Sequence, residues 1–202
     1  MSQNHWDATF SASHYHYGTE PNDFLKEHAH AIPAGGRVLC IGEGEGRNAI
    51  YLAEQGFVVT ALDASKVGLE KTAALAASRN VDVTTVHADL ADYDLGKECW
   101  DGIVSIFCHL PPALRHQVHT AIPFALRKEG VFLLEGYRPE QLEYKTGGPS
   151  NVEMLYPLTT LEEELKPLSF VIAKEAVRHI EEGRGHQGTS ATVQILARHS
   201  NY

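Results

Sequence analysis

The chain has 202 residues, the length of one domain with a single well-filled core. Its composition, 43% hydrophobic and 21% charged, is that of a folded globular protein and excludes disorder as the default. Lys and Arg number 17 against 26 Asp and Glu, a net charge of −9 that leaves no broad cationic footprint, so the partners expected are neither nucleic acid nor an anionic membrane.

Residues 1–21 are aromatic and polar without a clear period. From Asn22, a good helix-capping type, Phe24, Leu25, His28 and Ala29 recur at helical spacing and predict a helix to about Ala31. Pro33-Ala34-Gly35-Gly36 breaks the chain, and the apolar run over 37–41 reads as a buried strand. The glycine-rich turn Gly42-Glu43-Gly44-Glu45-Gly46 leads into a helix over 47–54, stopped by Gln55-Gly56.

The alternation then repeats. A strand over 57–62 closes on Asp63, a helix covers 65–78, and a strand over 81–87 closes on Ala88-Asp89. A strand over 100–107, a helix over 112–126, a Lys128-Glu129-Gly130 turn and a strand over 131–136 follow. Residues 138–155 form a long polar, Gly-Pro-rich loop, of the kind that more often serves function than idles. A short helix is expected over 160–165 with Thr160 as its cap, then two closing strands over 168–178 and 189–198 joined by a glycine-bearing loop.

Strands alternating with helices pair in parallel through right-handed crossovers. The expected fold is therefore α/β, a doubly wound, mostly parallel seven-stranded sheet, with one antiparallel edge strand implied by the two strands in succession at the end. One domain is expected over 1–202: an N-terminal lid and helix (1–31), a core (37–136), and a substrate-side loop with closing strands (137–202).

In such a sheet a nucleotide-like cofactor sits where a glycine-rich turn joins strand to helix. The dinucleotide fingerprint fails because Arg47 stands where its third glycine belongs, and the phosphate loop fails at the same place with no Lys following. Glu43 and Glu45 would also repel a pyrophosphate at close range. They are compatible with a cofactor that has a cationic centre and no phosphate, such as S-adenosylmethionine. Its carboxylate is then expected at the backbone N–H groups that open the next helix.

Val38-Leu39-Cys40-Ile41-Gly42-Glu43-Gly44-Glu45-Gly46-Arg47-Asn48-Ala49 resembles the first motif of class I S-adenosylmethionine-dependent methyltransferases, whose fold is Rossmann-like. The trailing Gly-Arg-Asn-Ala, and Tyr17-Gly18-Thr19-Glu20-Pro21-Asn22-Asp23-Phe24-Leu25 before the core, are similar to the tellurite-resistance and thiopurine methyltransferase branch. The resemblance implies a cofactor site at Gly42, Glu43, Gly44, Gly46 and Asn48. It gives Asp63 the two ribose hydroxyls, Asp89 the adenine amine, Ala64 and Leu90 the flanks of the adenine ring, and Phe107 and Cys108 the methionine moiety. A carboxylate suits the ribose because it accepts from two vicinal hydroxyls. Glu43 departs from the Cys or Ser common at its position. The fourth strand closes on Phe107-Cys108-His109-Leu110-Pro111 rather than Asn/Asp-Pro-Pro-Tyr/Phe, which argues against methylation of DNA bases or protein amides.

On the acceptor side, His109 is a candidate general base, Trp6, Tyr15 and Tyr17 are candidates for a lid over the sulfonium by cation–π attraction, and Tyr137, Arg138 and His186 are rim candidates. Cys108 and His109 point to opposite faces of a strand, so Cys108 is expected to pack rather than act as a nucleophile. Twelve histidines include His14-x-His16, His28-x-His30 and His116-x-x-His119, but no supporting Cys or carboxylate cluster is apparent, so surface histidines and no metal are expected. Cys40, Cys99 and Cys108 are odd in number without CxxC spacing, 1–7 has no basic stretch leading into an apolar run, and no apolar run reaches about 18 residues, so a cytoplasmic protein with free thiols is expected. The function expected is methyl transfer to a small-molecule acceptor, with a thiol or chalcogen oxyanion implied by the branch. A cofactor-binding regulatory module without turnover, and a nicotinamide-dependent oxidoreductase, are the rivals.

Overall fold

Alternate residues of the central strands are buried on opposite faces, as a sheet covered on both sides requires. In β1 (Arg37–Ile41), Leu39 and Ile41 join one core cluster while Val38 and Cys40 join another. The computed structural model describes residues 3–200, with the side chains of residues 3 and 4 left aside. The strands β2 (Val58–Asp63), β3 (Val83–His87), β4 (Trp100–Ile106), β5 (Leu126–Tyr137), β6 (Ser169–Glu182) and β7 (His186–Arg198) complete a seven-stranded sheet in the order β3-β2-β1-β4-β5-β7-β6.

Strands β1 to β5 pair in parallel, and β7 runs antiparallel to both β5 and β6. The antiparallel element is thus at the end of the sheet where two successive strands predicted it, with β6 as the outermost strand. One face is covered by α5 (Pro112–Ala125) and α7 (Leu158–Glu164) through Val118, Ile122 and Leu161. The other is covered by α2 (Asp23–His28) and α3 (Arg47–Glu54) through Phe24, Leu25, Ala49 and Leu52, joined by Leu69 of α4 (Lys66–Arg79). The chain leaves β1 toward β2 on one side and lies beside β4 on the other, which opens a crevice at the carboxyl ends of the strands.

Caps follow the residue types. Asn22 accepts from Leu25 N–H at 3.0 Å and Ser65 from Gly68 N–H at 3.0 Å. Thr160 is not a cap: α7 begins at Leu158, after Pro157 at φ −63°, a geometry that already suits a helix start. The turn expected at Lys128-Glu129-Gly130 is absorbed into β5, whose pairing with β4 is irregular between Trp100 and Gly102. The loop after β5 holds a short helix α6 (Gln141–Tyr144) and a 3₁₀ turn over Val152–Met154. Sequence periodicity missed α1 (Gln3–Phe10), and the closing hairpin is longer and tighter than expected, turning over Gly183-Arg184-Gly185. Among the described residues no helix is long and apolar enough to cross a membrane.

Candidate functional site

The glycine turn exists because nothing larger fits. Gly42 sits at φ +62°, and a Cβ there would stand 2.5 Å from Cys108 Sγ. Gly46, at φ +96°, would drive one to 2.9 Å from the Thr72 Cα, so its role is packing of α4 against the turn; it does not line the cavity. Above Gly42 and Gly44 lies a cavity of about 370 Å³, toward the small end of the roughly 300–1,000 Å³ usual for ligand clefts. Glu43, Asn48, Asp63, Ala64, Asp89, Leu90, Phe107, Cys108 and His109 also line it, so all predicted cofactor positions except Gly46 converge there.

Asp63 closes β2 with its carboxylate fixed. Gly44 N–H donates to Oδ2 at 2.8 Å and Ser65 N–H to Oδ1 at 2.7 Å. Burial lifts its pKa, against the pull of these two donors. Each oxygen keeps a lone pair for a further donor, so the group can accept from two adjacent hydroxyls. Asp89 stands exposed at the lip, its Oδ1 accepting from Ala91 N–H at 2.9 Å.

The two glutamates of the turn are structural. Glu43 Oε1 accepts from Asn48 N–H at 2.9 Å and Ala49 N–H at 2.8 Å, which occupies the opening N–H groups of α3. The expectation that these groups would hold a cofactor carboxylate is therefore corrected. Burial pushes the Glu43 carboxyl up to about 7. Glu45 accepts from His16 N–H at 2.7 Å and pairs with Lys71 at 2.5 Å. Asn48 Oδ1 accepts from Asn22 N–H at 3.0 Å, fixing the approach to α2.

Lys71 also donates to three carbonyls of the N-terminal segment, those of Phe10, Ala12 and His14, at 3.2, 2.9 and 2.6 Å. Asp7 accepts from Ser65 Oγ at 2.6 Å, which seats α1 over the start of α4. Trp6 stacks on Phe10 at 5.5 Å, and Trp6, Phe10 and Tyr17 roof the cavity. Tyr15 does not: it packs against Ile50, Leu75 and Ala76, its hydroxyl donating to Lys71 O at 3.2 Å. The carbonyl of His16 accepts from Arg184 N–H at 2.7 Å, tying the roof to the closing hairpin.

On the far side, Phe107 takes φ +51°, unusual for a bulky residue, and its N–H donates to Glu135 O at 2.7 Å. The Cys108 thiol, half-buried and packed against Gly42, is pushed up to about 12 by desolvation, as a packing thiol should be. His109 lines the cavity but cannot serve as the expected base. Its Nε2 accepts from Tyr137 N–H at 3.1 Å, so Nδ1 carries the proton given to Met154 O at 2.7 Å. Burial pushes this ring down to about 4, which keeps it neutral. Tyr137 closes β5, fully buried behind Phe107, and Arg138 pairs with Glu140 at 2.6 Å and Glu175 at 3.5 Å; neither reaches the cavity. His186 does.

A buried polar network beneath this site was not read from the sequence. Glu135 accepts from Arg178 (2.8 and 2.7 Å), Gln194 (2.7 Å) and Asn22 (2.6 Å), and Glu182 accepts from Arg47 at 2.6 Å and Asn22 at 2.9 Å. It joins residues more than a hundred positions apart, and the only local signal was Asn22 as a cap. Histidine exposure also differs from expectation: His119 is buried, bonded to Glu164 at 2.8 Å beside Arg115. Among the described residues no group of three or more His, Cys, Asp or Glu is placed to hold a metal ion.

Residues 38–130, a little under half of the chain, match the family model described as a methyltransferase domain. Comparison with curated proteins gives no match. The chain is similar in structure to a protein determined in work on conversion of a disulfide bond into a thioacetal group during echinomycin biosynthesis (TM-score 0.80, 16% identity, covering 98% of this chain and 93% of that one). It is similar to TehB from Haemophilus influenzae (TM-score 0.70, 19% identity, 97% and 66%). It is also similar to 1,6-didemethyltoxoflavin-N1-methyltransferase from Burkholderia thailandensis, solved with 1,6-didemethyltoxoflavin and S-adenosylhomocysteine bound (TM-score 0.62, 24% identity, 86% and 75%). At these identities the structures establish a shared fold, that of the class I methyltransferases.

Proposed function

We propose that this chain is an S-adenosylmethionine-dependent methyltransferase, a reading supported by its domain match and its fold, and that it moves the methyl group of that cofactor onto a small-molecule acceptor. The observation that carries the site assignment is Asp63, a buried carboxylate at a parallel strand end with one lone pair free on each oxygen. In this reading Asp63 holds the ribose hydroxyls. Asp89, Ala64 and Leu90 hold the adenine end, and Phe107 and Cys108 flank the methionine moiety. Trp6 and Tyr17, in the roof, face the sulfonium with their aromatic rings. Tyr17 stays a neutral phenol, because burial pushes it up to about 12.

The cofactor, when bound, supplies an electrophilic methyl group, so the protein's task is to position, exclude water and take up a proton where the acceptor has one to lose. A cavity of about 370 Å³ favours a small acceptor. Of the acceptors suggested by the family branch, a thiol suits the walls better than a chalcogen oxyanion. Arg47 supplies the guanidinium on the cavity wall and is committed to Glu182 at 2.6 Å. The chain is read as one cytoplasmic domain, in keeping with its three free cysteines.

A panel of small thiols, phenols and oxyanions with methyl-labelled cofactor tests this reading. Labelled product from at least one class is expected. Tight cofactor binding with no product from any class would favour a regulatory module.

A further inference from the structure

His186 opens β7 and faces the cavity from the β4–β5–β7 half of the sheet, across the glycine turn from Asp63 and Asp89 on β2 and beyond β3. Its ring is packed between those of Phe107 at 4.4 Å and Tyr17 at 4.5 Å. Nδ1 is buried without a hydrogen-bond partner and lies 3.7 Å from Glu182 Oε2, too long for a hydrogen bond but within ion-pair reach. Among the described residues no hydrogen bond engages Nε2, which leaves that nitrogen for the cavity. His109, by contrast, has both ring nitrogens occupied.

We propose that His186 takes the proton of the methyl acceptor, and that the acceptor is a small uncharged molecule with an aromatic or planar body bearing an acidic X–H: a phenol, a thiol or a ring N–H. This rests on the methyl-transfer reading above. The acceptor's body lies against Phe107 and Tyr17. Its X–H proton passes to Nε2, and the electron pair left on X forms the bond to the transferred methyl carbon. The pair of the broken carbon–sulfur bond stays on the cofactor's sulfur, and the imidazolium returns its proton to solvent.

Glu182 makes that imidazolium tenable. Burial opposes its ionisation, but His186 and Arg47 hold its carboxyl down to about 2, so an anion stands behind Nδ1 throughout. Burial keeps His186 below its ordinary value, hence neutral and able to accept. The groups facing it are His16 and Tyr17 of the roof, Arg47 of α3, His109 after β4, Tyr137 of β5 and Glu182 of β6.

The test compares the wild-type protein with His186→Asn on ring-substituted phenols and thiophenols, with S-adenosylhomocysteine affinity measured in parallel. The expected loss in kcat is about 10²–10⁴-fold on phenols that keep their O–H at the assay pH. Thiophenols already ionised should lose far less, affinity for S-adenosylhomocysteine should hold, and the acid limb of the phenol pH profile should vanish. Glu182→Gln, which keeps an acceptor at that site, should move the limb to lower pH. An equal loss on both series, no loss, or no methylation of either series by wild-type protein that binds S-adenosylhomocysteine would each overturn the proposal. Protein that binds no S-adenosylhomocysteine would refute the cofactor reading itself, and this inference with it.

Discussion

Replacing Lys71 with Met keeps the aliphatic stem and deletes the ammonium that gathers the roof. The variant strips Glu45 of its counter-charge while His16 N–H still donates to it, and leaves the carbonyls of Phe10, Ala12 and His14 without a donor. Breaking a fully buried pair costs about 3–5 kcal/mol. The Lys71 side chain is 16% exposed and water can reach the released carbonyls, so about 2–3 kcal/mol is the fair figure for the closed roof. That is a shift of about 30- to 150-fold between closed and open states. Because α1 and residues 11–18 lie outside the sheet, the loss should appear locally rather than in global unfolding. Native-state hydrogen exchange at the amides of His16 and Tyr17 is the assay, and K71M should speed it by that factor while the amides of β1 stay as they were. Unchanged exchange at His16 and Tyr17 would show that the clasp does not hold the roof.

Gly42→Ala combines a positive φ with a Cβ 2.5 Å from Cys108 Sγ; backbone strain of about 1–2 kcal/mol and overpacking of about 1–3 should lower Tm by roughly 5–15 °C, and an unchanged melt would mean the turn can move away. Glu43, raised to about 7 in the fold from an ordinary value of 4.5, contributes stability that is full below about pH 4.5 and lost as pH rises through 7. Glu43→Gln should therefore be more stable than wild type at pH 8, by about 1–3 kcal/mol, with the advantage shrinking toward pH 5; parallel melts that never diverge would refute the burial argument. His109→Ala should lower Tm, because it releases Tyr137 N–H and Met154 O together, yet leave the acid limb of the kcat profile in place; loss of the limb would restore His109 as the base.

Much of this architecture was legible because the central strands are short apolar runs separated by helix-length patterns, and both faces of the sheet are buried. Asp63 could be found for the same reason, ending such a run. Asp89 follows the edge strand β3, which is polar and half-exposed, and was placed by the repeat of the strand–helix pattern. Glu43 was visible only as a charge in the wrong place for a phosphate; that it folds back to cap α3 depends on a turn geometry the residue types do not specify. Tyr15 and Tyr17 look alike in sequence, yet one faces Ile50 and Leu75 and the other the cavity. The pairing of Asn22 and Arg47 with Glu182 depends on how the closing hairpin returns over the strand ends. His186 was placed only at the rim, since the register of that hairpin was read too short.

The most direct measurement of the central claim is calorimetric titration of the protein and of Asp63→Asn with S-adenosylhomocysteine. In wild type each Asp63 oxygen has room for one ribose hydroxyl beside its backbone donor. The amide removes the charge and turns an N–H₂ toward one of those donors, so two charge-assisted hydrogen bonds fall to neutral strength, a loss of about 1–1.5 kcal/mol each. One equivalent should bind the wild type, and the variant should bind about 100-fold more weakly with its fold intact. Equal affinity in the two proteins, or no binding by the wild type, would contradict the account.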